Sequence, residues 1–169
     1  DISSWRLSVN TDDCQAMFHS CGLRSEYKPI KVYQIRSNAD IKDAVNLWCS
    51  NRAEAESRYG HISDWDVSSV TDMSWLFRDK NQFNDDISRW NVSAVTSMYA
   101  MFTGATEFNQ PIGEWKTGNV TNMAFMFNGA AKFNQPIGGW NTSNLTDAVV
   151  CFQNATSFNQ PIGAWNGKY

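Results

Sequence analysis

The same 25-residue unit opens at Ile62, Ile87, Ile112 and Ile137, and a fifth copy opens at Ile162 and runs to Tyr169. No insertion or deletion separates the copies, so the fold must repeat one local conformation at a fixed interval. FNQPIGEW, Phe108 to Trp115, returns as FNQPIGGW at Phe133 to Trp140 and as FNQPIGAW at Phe158 to Trp165. Aligned copies give columns of one residue type: Trp65, Trp90, Trp115, Trp140 and Trp165; Thr71, Thr96, Thr121 and Thr146; Phe77, Phe102, Phe127 and Phe152; Phe83, Phe108, Phe133 and Phe158. Met73, Met98 and Met123, and then Ala105, Ala130 and Ala155, fill two more. Large apolar columns mark an interior. Ordering one unit costs about 1–2 kcal/mol per residue, whereas each buried Trp, Phe, Ile or Met returns roughly 1.5–3 kcal/mol. A lone unit cannot meet that cost, and stacked units can because each buries both faces. The expected fold is therefore an α/β repeat, a solenoid of 25-residue coils with short helical turns and extended segments.

Within a coil, VTNMAFMFNGA at Val120 to Ala130 reads as the helical turn, with Thr121 capping its start, Met123, Met126 and Phe127 on one face, and Asn128-Gly129 at its end. Phe133 to Trp140 is then the extended return. Pro111, Pro136 and Pro161 lack an N–H and exclude a central ladder at their column. The Asn column, Asn84, Asn109, Asn134 and Asn159, with Gln110, Gln135 and Gln160 beside it, suits a bend where side-chain amides bind the neighbouring coil's backbone.

Residues 22–61 do not repeat and read as an N-terminal cap. PIKVYQI, Pro29 to Ile35, alternates like a strand. Asn38 to Gly60 is helical, with Ile41, Ala44, Val45, Trp48 and Cys49 on its apolar face and Arg52, Glu54, Glu56 and Arg58 as a solvated end. Residues 1–21 form a degenerate partial repeat: Ile2 and Trp5 fit the Ile-x-x-Trp columns, Leu7 fits the Val column, and Cys14, Met17, Phe18 and Cys21 fit the later columns with one inserted residue. Residues 62–169 hold the four full repeats and the partial fifth. A chain beginning at Asp1 reads as a processed or excised segment, so the lack of a signal-peptide pattern carries no information on secretion.

Several function classes lose support from composition. A net charge of −3 gives no footprint for nucleic acid, and no apolar run reaches the roughly 20 residues of a membrane span. His19 and His61 lie outside the repeat columns, and no catalytic triad, phosphate loop or metal-helix motif accompanies them. The expectation is a non-enzyme without metal or cofactor. Asp64, Asp66, Asp72, Asp79, Asp85 and Asp86 crowd the first coil; they read either as calcium ligands or, preferably, as a solvated acidic face. Cys14, Cys21, Cys49 and Cys151 fit no zinc spacing and permit either two disulfides or four reduced thiols. Asn91, Asn119, Asn141, Asn144 and Asn154 head N-x-[ST] sequons, candidate glycosylation sites in turns that favour Asn on geometry alone. Trp75, Phe125 and Val150 share one variable column, with Tyr99 and Val149 in its neighbour. Stacked, Trp75, Tyr99 and Phe125 would make an aromatic stripe for protein or sugar contacts, or else pack between coils.

The phrase FNQPIGxWNTSNVTNMxxMFxxA, strongest over residues 62–166, resembles the 25-residue repeats of BspA-like surface proteins, a mycoplasma lipoprotein-type family. The stretch Ala44 to Met73 is similar to the segment that leads into such arrays. The resemblance implies a leucine-rich-repeat-like solenoid in secreted or cell-surface proteins with adhesion or protein-interaction roles, and no catalytic residues. The sequence departs from the pattern at Asp85-Asp86, Ala148 and Cys151, near the ends of the array. Two functions follow: a surface module that binds a protein or glycan, or a structural subunit that self-assembles head to tail through its ends.

Overall fold

The computed structural model describes residues 34–165. The chain divides into two units, Asp1–Val32 and Tyr33–Tyr169. The degenerate repeat over residues 1–21, with Cys14 and Cys21, lies outside the described residues, as does most of the expected strand; its last residues, Gln34 and Ile35, have irregular backbone.

The helical stretch is two helices, α1 (Asn38–Ser50) and α2 (Arg52–Tyr59). Ser37 caps α1 by accepting the Asp40 amide at 3.1 Å. Asn51 interrupts the helix. Its φ of −146° and ψ of 81° are non-helical, its N–H closes α1 on the Leu47 carbonyl, and its side chain accepts the Glu54 amide to start α2. Gly60, at φ 74°, ends α2. Ile41, Ala44, Val45 and Trp48 are buried as their spacing predicts, but Cys49 is exposed.

Each 25-residue copy is a run of β-turns. In the second, N–H groups bond carbonyls three residues back: Trp90 to Ile87, Val95 to Val92, Met101 to Met98, Ala105 to Phe102 and Phe108 to Ala105, at 2.9–3.2 Å. These turn corners are the recurring apolar columns, and all are buried. The expected helical turn at Val120 to Ala130 does not form. Met126, Asn128 and Ala130 bond back to Met123, Phe125 and Phe127, but the intervening Phe125, Phe127 and Gly129 donate to Val149, Cys151 and Gln153 in the next copy. Positive φ at Phe125 (59°) and Gly129 (72°) breaks any right-handed helix. Thr121 caps nothing; its amide and hydroxyl both donate to the Thr96 carbonyl one copy earlier.

Copies join in register. Met73, Trp75, Phe77 and Asp79 donate to the carbonyls of Ser97, Tyr99, Met101 and Thr103 at 2.8–2.9 Å, and the same alternating pattern recurs through the next two copies. Parallel bridges link Asp72, Ser97, Asn122 and Asp147, away from the Pro column. At the opposite bend, Asn84 Oδ1 accepts the Asn109 amide at 2.8 Å and Gln110 Nε2 at 3.0 Å, and Asn109 and Asn134 do the same for the copy that follows each. Side-chain amides thus supply partners where proline removes them.

The core is a stack of rings. Phe77, Phe102, Phe127 and Phe152 stack at 5.3–5.6 Å. Each also faces a Phe of its own copy, at 3.9 Å for Phe102 and Phe108. Trp115 stacks on Trp140 at 6.3 Å and Trp140 on Trp165 at 5.9 Å. Their indole N–H groups leave the apolar stack satisfied, because Trp90, Trp115, Trp140 and Trp165 donate to the carbonyls of Ile62, Ile87, Ile112 and Ile137.

The helices seat on the first copy through polar contacts at Asn38, Lys42, Trp48 and Arg52. Asn38 Oδ1 accepts the amides of Thr71 and Asp72 at 2.9 and 3.1 Å, where later threonines meet a preceding copy. Asp85 accepts the Trp48 indole at 2.9 Å and a two-pronged contact from Arg52. The departure from Gln-Pro at this position therefore has a cause: Asp85 is the docking point of the helices.

Candidate functional site

The strongest candidate surface lies on the column that begins at Trp75. Trp75, Ala100, Phe125 and Val150 all have φ between 50° and 61°, a region that favours Gly, Asn and Asp and is costly for bulky or β-branched residues. Asp79, Gly104, Gly129 and Asn154 form the companion left-handed column, and its residue types suit it. The first column follows no such rule. Holding Trp, Phe and Val there costs on the order of 1–2 kcal/mol per residue, and the inter-copy bonds of Trp75 to Tyr99 and Phe125 to Val149 fix the geometry.

What that backbone presents is a zigzag of apolar side chains. Trp75 is 51 % exposed and meets Tyr99 edge to face at 5.3 Å and 88°. Tyr99 meets Phe125 at 5.8 Å and 66°, and Val149, 50 % exposed, follows in the same course. Beside each large residue stands a small buried one: Ser74 beside Trp75, Ala100 beside Tyr99, Ala124 beside Phe125. Large and small residues alternate between two adjacent columns, so each ring leans over a small neighbour. Trp75, Tyr99 and Phe125 thus come together as the stripe expected from sequence; Tyr99 and Phe125 are half-buried, so the stripe also packs between copies.

Asp72, Ser97, Asn122 and Asp147 border the stripe, and each side chain accepts the amide two residues on, as Asp72 does from Ser74 at 2.8 Å and Asp147 from Val149 at 3.0 Å. These bonds hold the entry to the left-handed turn. Partial burial raises the Asp72 carboxyl, but hydrogen bonds from Ser74 and the Lys42 ammonium outweigh it and keep Asp72 below the usual carboxylate range.

The other sequence candidates separate. The six first-coil carboxylates do not converge. Asp64 pairs with Arg89 and Asp79 with Arg78, Asp85 docks the cap, and Asp66 and Asp86 accept the amides of Ser68 and Ser88. All five sequon asparagines are exposed, but they are not equivalent. Asn119 and Asn144 spend their amide nitrogen on the carbonyls of Ser93 and Gly118 at 2.7 Å, whereas Asn91 and Asn141 accept turn amides through Oδ1, and Asn154 is left-handed. Cys49 and Cys151 are free thiols. Cys151 sits in the core at the Leu76, Met101 and Met126 column, and burial pushes its thiol up to about 12.

A cleft of about 480 Å³ opens where α1 ends, between Trp48, Cys49 and Arg52 on one side and Lys80, Gln82 and Asp85 on the other. Arg52 and Asp85 neutralise each other at its wall, which makes it the seam of the cap.

The columns of Trp75, Tyr99 and Phe125 are legible in the sequence, and the left-handed backbone at Trp75 and Phe125 is not. The alternation of large and small residues in adjacent columns was the available signal, since helix packing would have no use for it. Residues 48–165 match a family model described as Mycoplasma protein of unknown function, DUF285. No curated protein matches the chain, and no solved structure does.

Proposed function

Because the chain belongs to the DUF285 family of Mycoplasma proteins, whose function is unknown, we propose its function from the site: a non-catalytic, secreted or cell-surface recognition module that binds a protein or glycan through the Trp75, Tyr99 and Phe125 stripe. The proposed scaffold is a leucine-rich-repeat-like solenoid of BspA type. Support for the scaffold comes from the hydrogen bonds and ring contacts that recur at intervals of 24–26 residues. One observation carries the function: the aromatic side chains of Trp75, exposed, and Phe125, half-buried, stand on a backbone column that disfavours them. A purely structural column would settle on Gly, Asn or Asp, as the companion column does, and the excess strain is the kind found at binding sites. Exposed aromatics with little conformational freedom are also effective contact residues.

The ring geometry narrows the partner. Rings at 88° and 66° to one another do not form the flat platform on which sugar faces stack, and the course ends in Val149, which offers a sugar no π-face. Apolar side chains of a protein partner suit the stripe better. Trp75→Ala and Tyr99→Ala are expected to weaken retention of surface protein from a cell extract at least tenfold, with melting temperatures within about 3 °C of the parent. A fall of 10 °C or so in the melt would move these residues into the structural core and remove the basis for the reading.

Head-to-tail self-assembly of whole copies is the second reading. Against it, Asn38 and α1 already sit on the face of the first repeat that such stacking would use.

A further inference from the structure

Each N-x-[ST] sequon offers a glycosylating enzyme two groups, the Asn amide nitrogen that takes the sugar and the Ser or Thr hydroxyl two residues on. The five sequons of this chain fall into two sets, because the repeat gives those groups different work. Asn91 and Asn141 each follow a residue of the Trp column, and their hydroxyls belong to Ser93 and Ser143. Asn119 and Asn144 lead into the Thr column instead, so their hydroxyls belong to Thr121 and Thr146, and Asn154 leads to Thr156.

The Thr sequons are tied into the stack. Asn119 Nδ2 donates to the Ser93 carbonyl and Asn144 Nδ2 to the Gly118 carbonyl, each at 2.7 Å. The Thr121 and Thr146 hydroxyls donate to the carbonyls of Thr96 and Thr121 at 3.1 and 2.8 Å. Thr156 gives its hydroxyl to the Ala131 carbonyl at 3.4 Å, and Asn154 itself is held at φ 60°. Each of these bonds joins a copy to the one before it, so freeing the hydroxyl means opening the stack at that point.

Asn91 and Asn141 carry no such duty. Oδ1 of each accepts the amide of its own Ser93 or Ser143, at 3.2 and 3.0 Å, and closes a turn inside the sequon. That bond uses the side-chain oxygen and leaves Nδ2 unbonded. The hydroxyls of Ser93 and Ser143 have no hydrogen-bond partner among the described residues, and all four residues are exposed. The turn also folds the Asn side chain back onto the residue that bears the hydroxyl, so both groups the reaction needs are presented at one place.

We infer that Asn91 and Asn141 are N-glycosylation sites and that Asn119, Asn144 and Asn154 are not. The donor is an oligosaccharide carried on a lipid pyrophosphate, transferred by an oligosaccharyltransferase. A bond forms from Asn Nδ2 to the sugar C1 as the bond from C1 to the pyrophosphate oxygen breaks. The amide gives up one proton, and the lipid pyrophosphate leaves with the electron pair. Lys116 fills the same column in the copy between, so the two glycans stand two rungs, about 10 Å, apart at the usual spacing of paired strands. Such a modification belongs to a chain that passes through a secretory membrane, and the inference therefore rests on the secreted or cell-surface reading above.

The test gives the purified, unglycosylated, folded chain to an oligosaccharyltransferase with its lipid-linked oligosaccharide and maps the modified Asn residues by peptide mass spectrometry. Blocked peptides spanning each sequon, treated alike, are the reference, so any preference of the enzyme for Thr or Ser cancels. Relative to its own peptide, each of Asn91 and Asn141 is expected to react at least tenfold better than Asn119, Asn144 or Asn154. The double variant Asn91→Gln with Asn141→Gln should stay free of glycan while it keeps the parent's near-ultraviolet tryptophan signal. Glycan on the other three sequons of that folded variant, or no reaction at Asn91 and Asn141 in the parent while their peptides react, overturns the inference. Because the reaction is run on purified chain, its result does not depend on where the chain resides; cell fractionation tests the secreted or cell-surface reading separately.

Discussion

At the scale of single residues, the backbone and the side chains disagree at one column, and Val150 is where the disagreement is sharpest. It is β-branched, half-buried and held at φ 60°, a combination L-residues avoid because Cβ crowds the carbonyl. Unlike Trp75, it has no aromatic contact to offset the strain. Val150→Gly should therefore stabilise the chain by about 1 kcal/mol, raising the melting temperature by roughly 2–4 °C for a chain of this size. Gly129→Ala, at φ 72° with only ordinary contact to Gly104 awaiting the new Cβ, should cost about 1 kcal/mol for the mirror-image reason. Thermal melts of both variants decide it; a destabilised Val150→Gly would show that the valine packs more than it strains.

At the scale of elements, the cap and the repeat meet through Asp85, and the sequence marked the place without explaining it. Asp85 breaks the Gln-Pro pattern of the later copies, and the structure gives the reason: it accepts the buried Trp48 indole and the Arg52 guanidinium. Asp85→Ala leaves the Trp48 N–H unpaired in a side chain only 2 % exposed, and should cost about 1–3 kcal/mol. Arg52→Ala removes a half-exposed partner and should cost under about 1 kcal/mol. Urea midpoints of the two variants test the ranking, and equal losses would assign the stability to the ion pair instead of the indole bond. The columns of Trp, Phe, Ile and Asn were legible because identical residues imply identical surroundings. The turn conformation was not. Met123, Met126 and Phe127 have helical spacing, and nothing in their identity reveals that alternate amides leave the turn for the next copy. The break at Asn51 was equally hidden, since one Asn inside a helical pattern signals a cap only once its φ and ψ are known.

At the scale of the whole molecule, the main-chain bonds, the Asn and Trp side-chain bonds and the same-column ring stacks that join one copy to the next are made at nearly the same offset, 24–28 residues, so register should govern whether altered chains fold. Deleting residues 112–136 as a block removes one full period and brings Ile87 and its copy against Ile137 and its copy. The Trp140 indole then meets the Ile87 carbonyl in place of Ile112, Asn159 still has an Asn beneath it through the Asn109–Asn134 register, and Phe102 faces Phe152 where Phe127 stood. The ion pair of Glu107 with Lys132 is lost, but Lys132 is exposed and Glu107 half-buried, and the pair contributes under about 1 kcal/mol. The shortened chain should fold cooperatively with a lower melting temperature, because one inter-copy interface has gone. Deleting residues 112–135 instead, one residue short of the period, shifts every later column against its partner, turns buried rings towards polar neighbours and breaks the amide ladder of each remaining copy. That chain should lose its near-ultraviolet tryptophan signal and its cooperative melt. Circular dichroism of the two deletions side by side is the measurement, and similar behaviour in both would mean that the stack tolerates slippage and that the 25-residue period does not set its register.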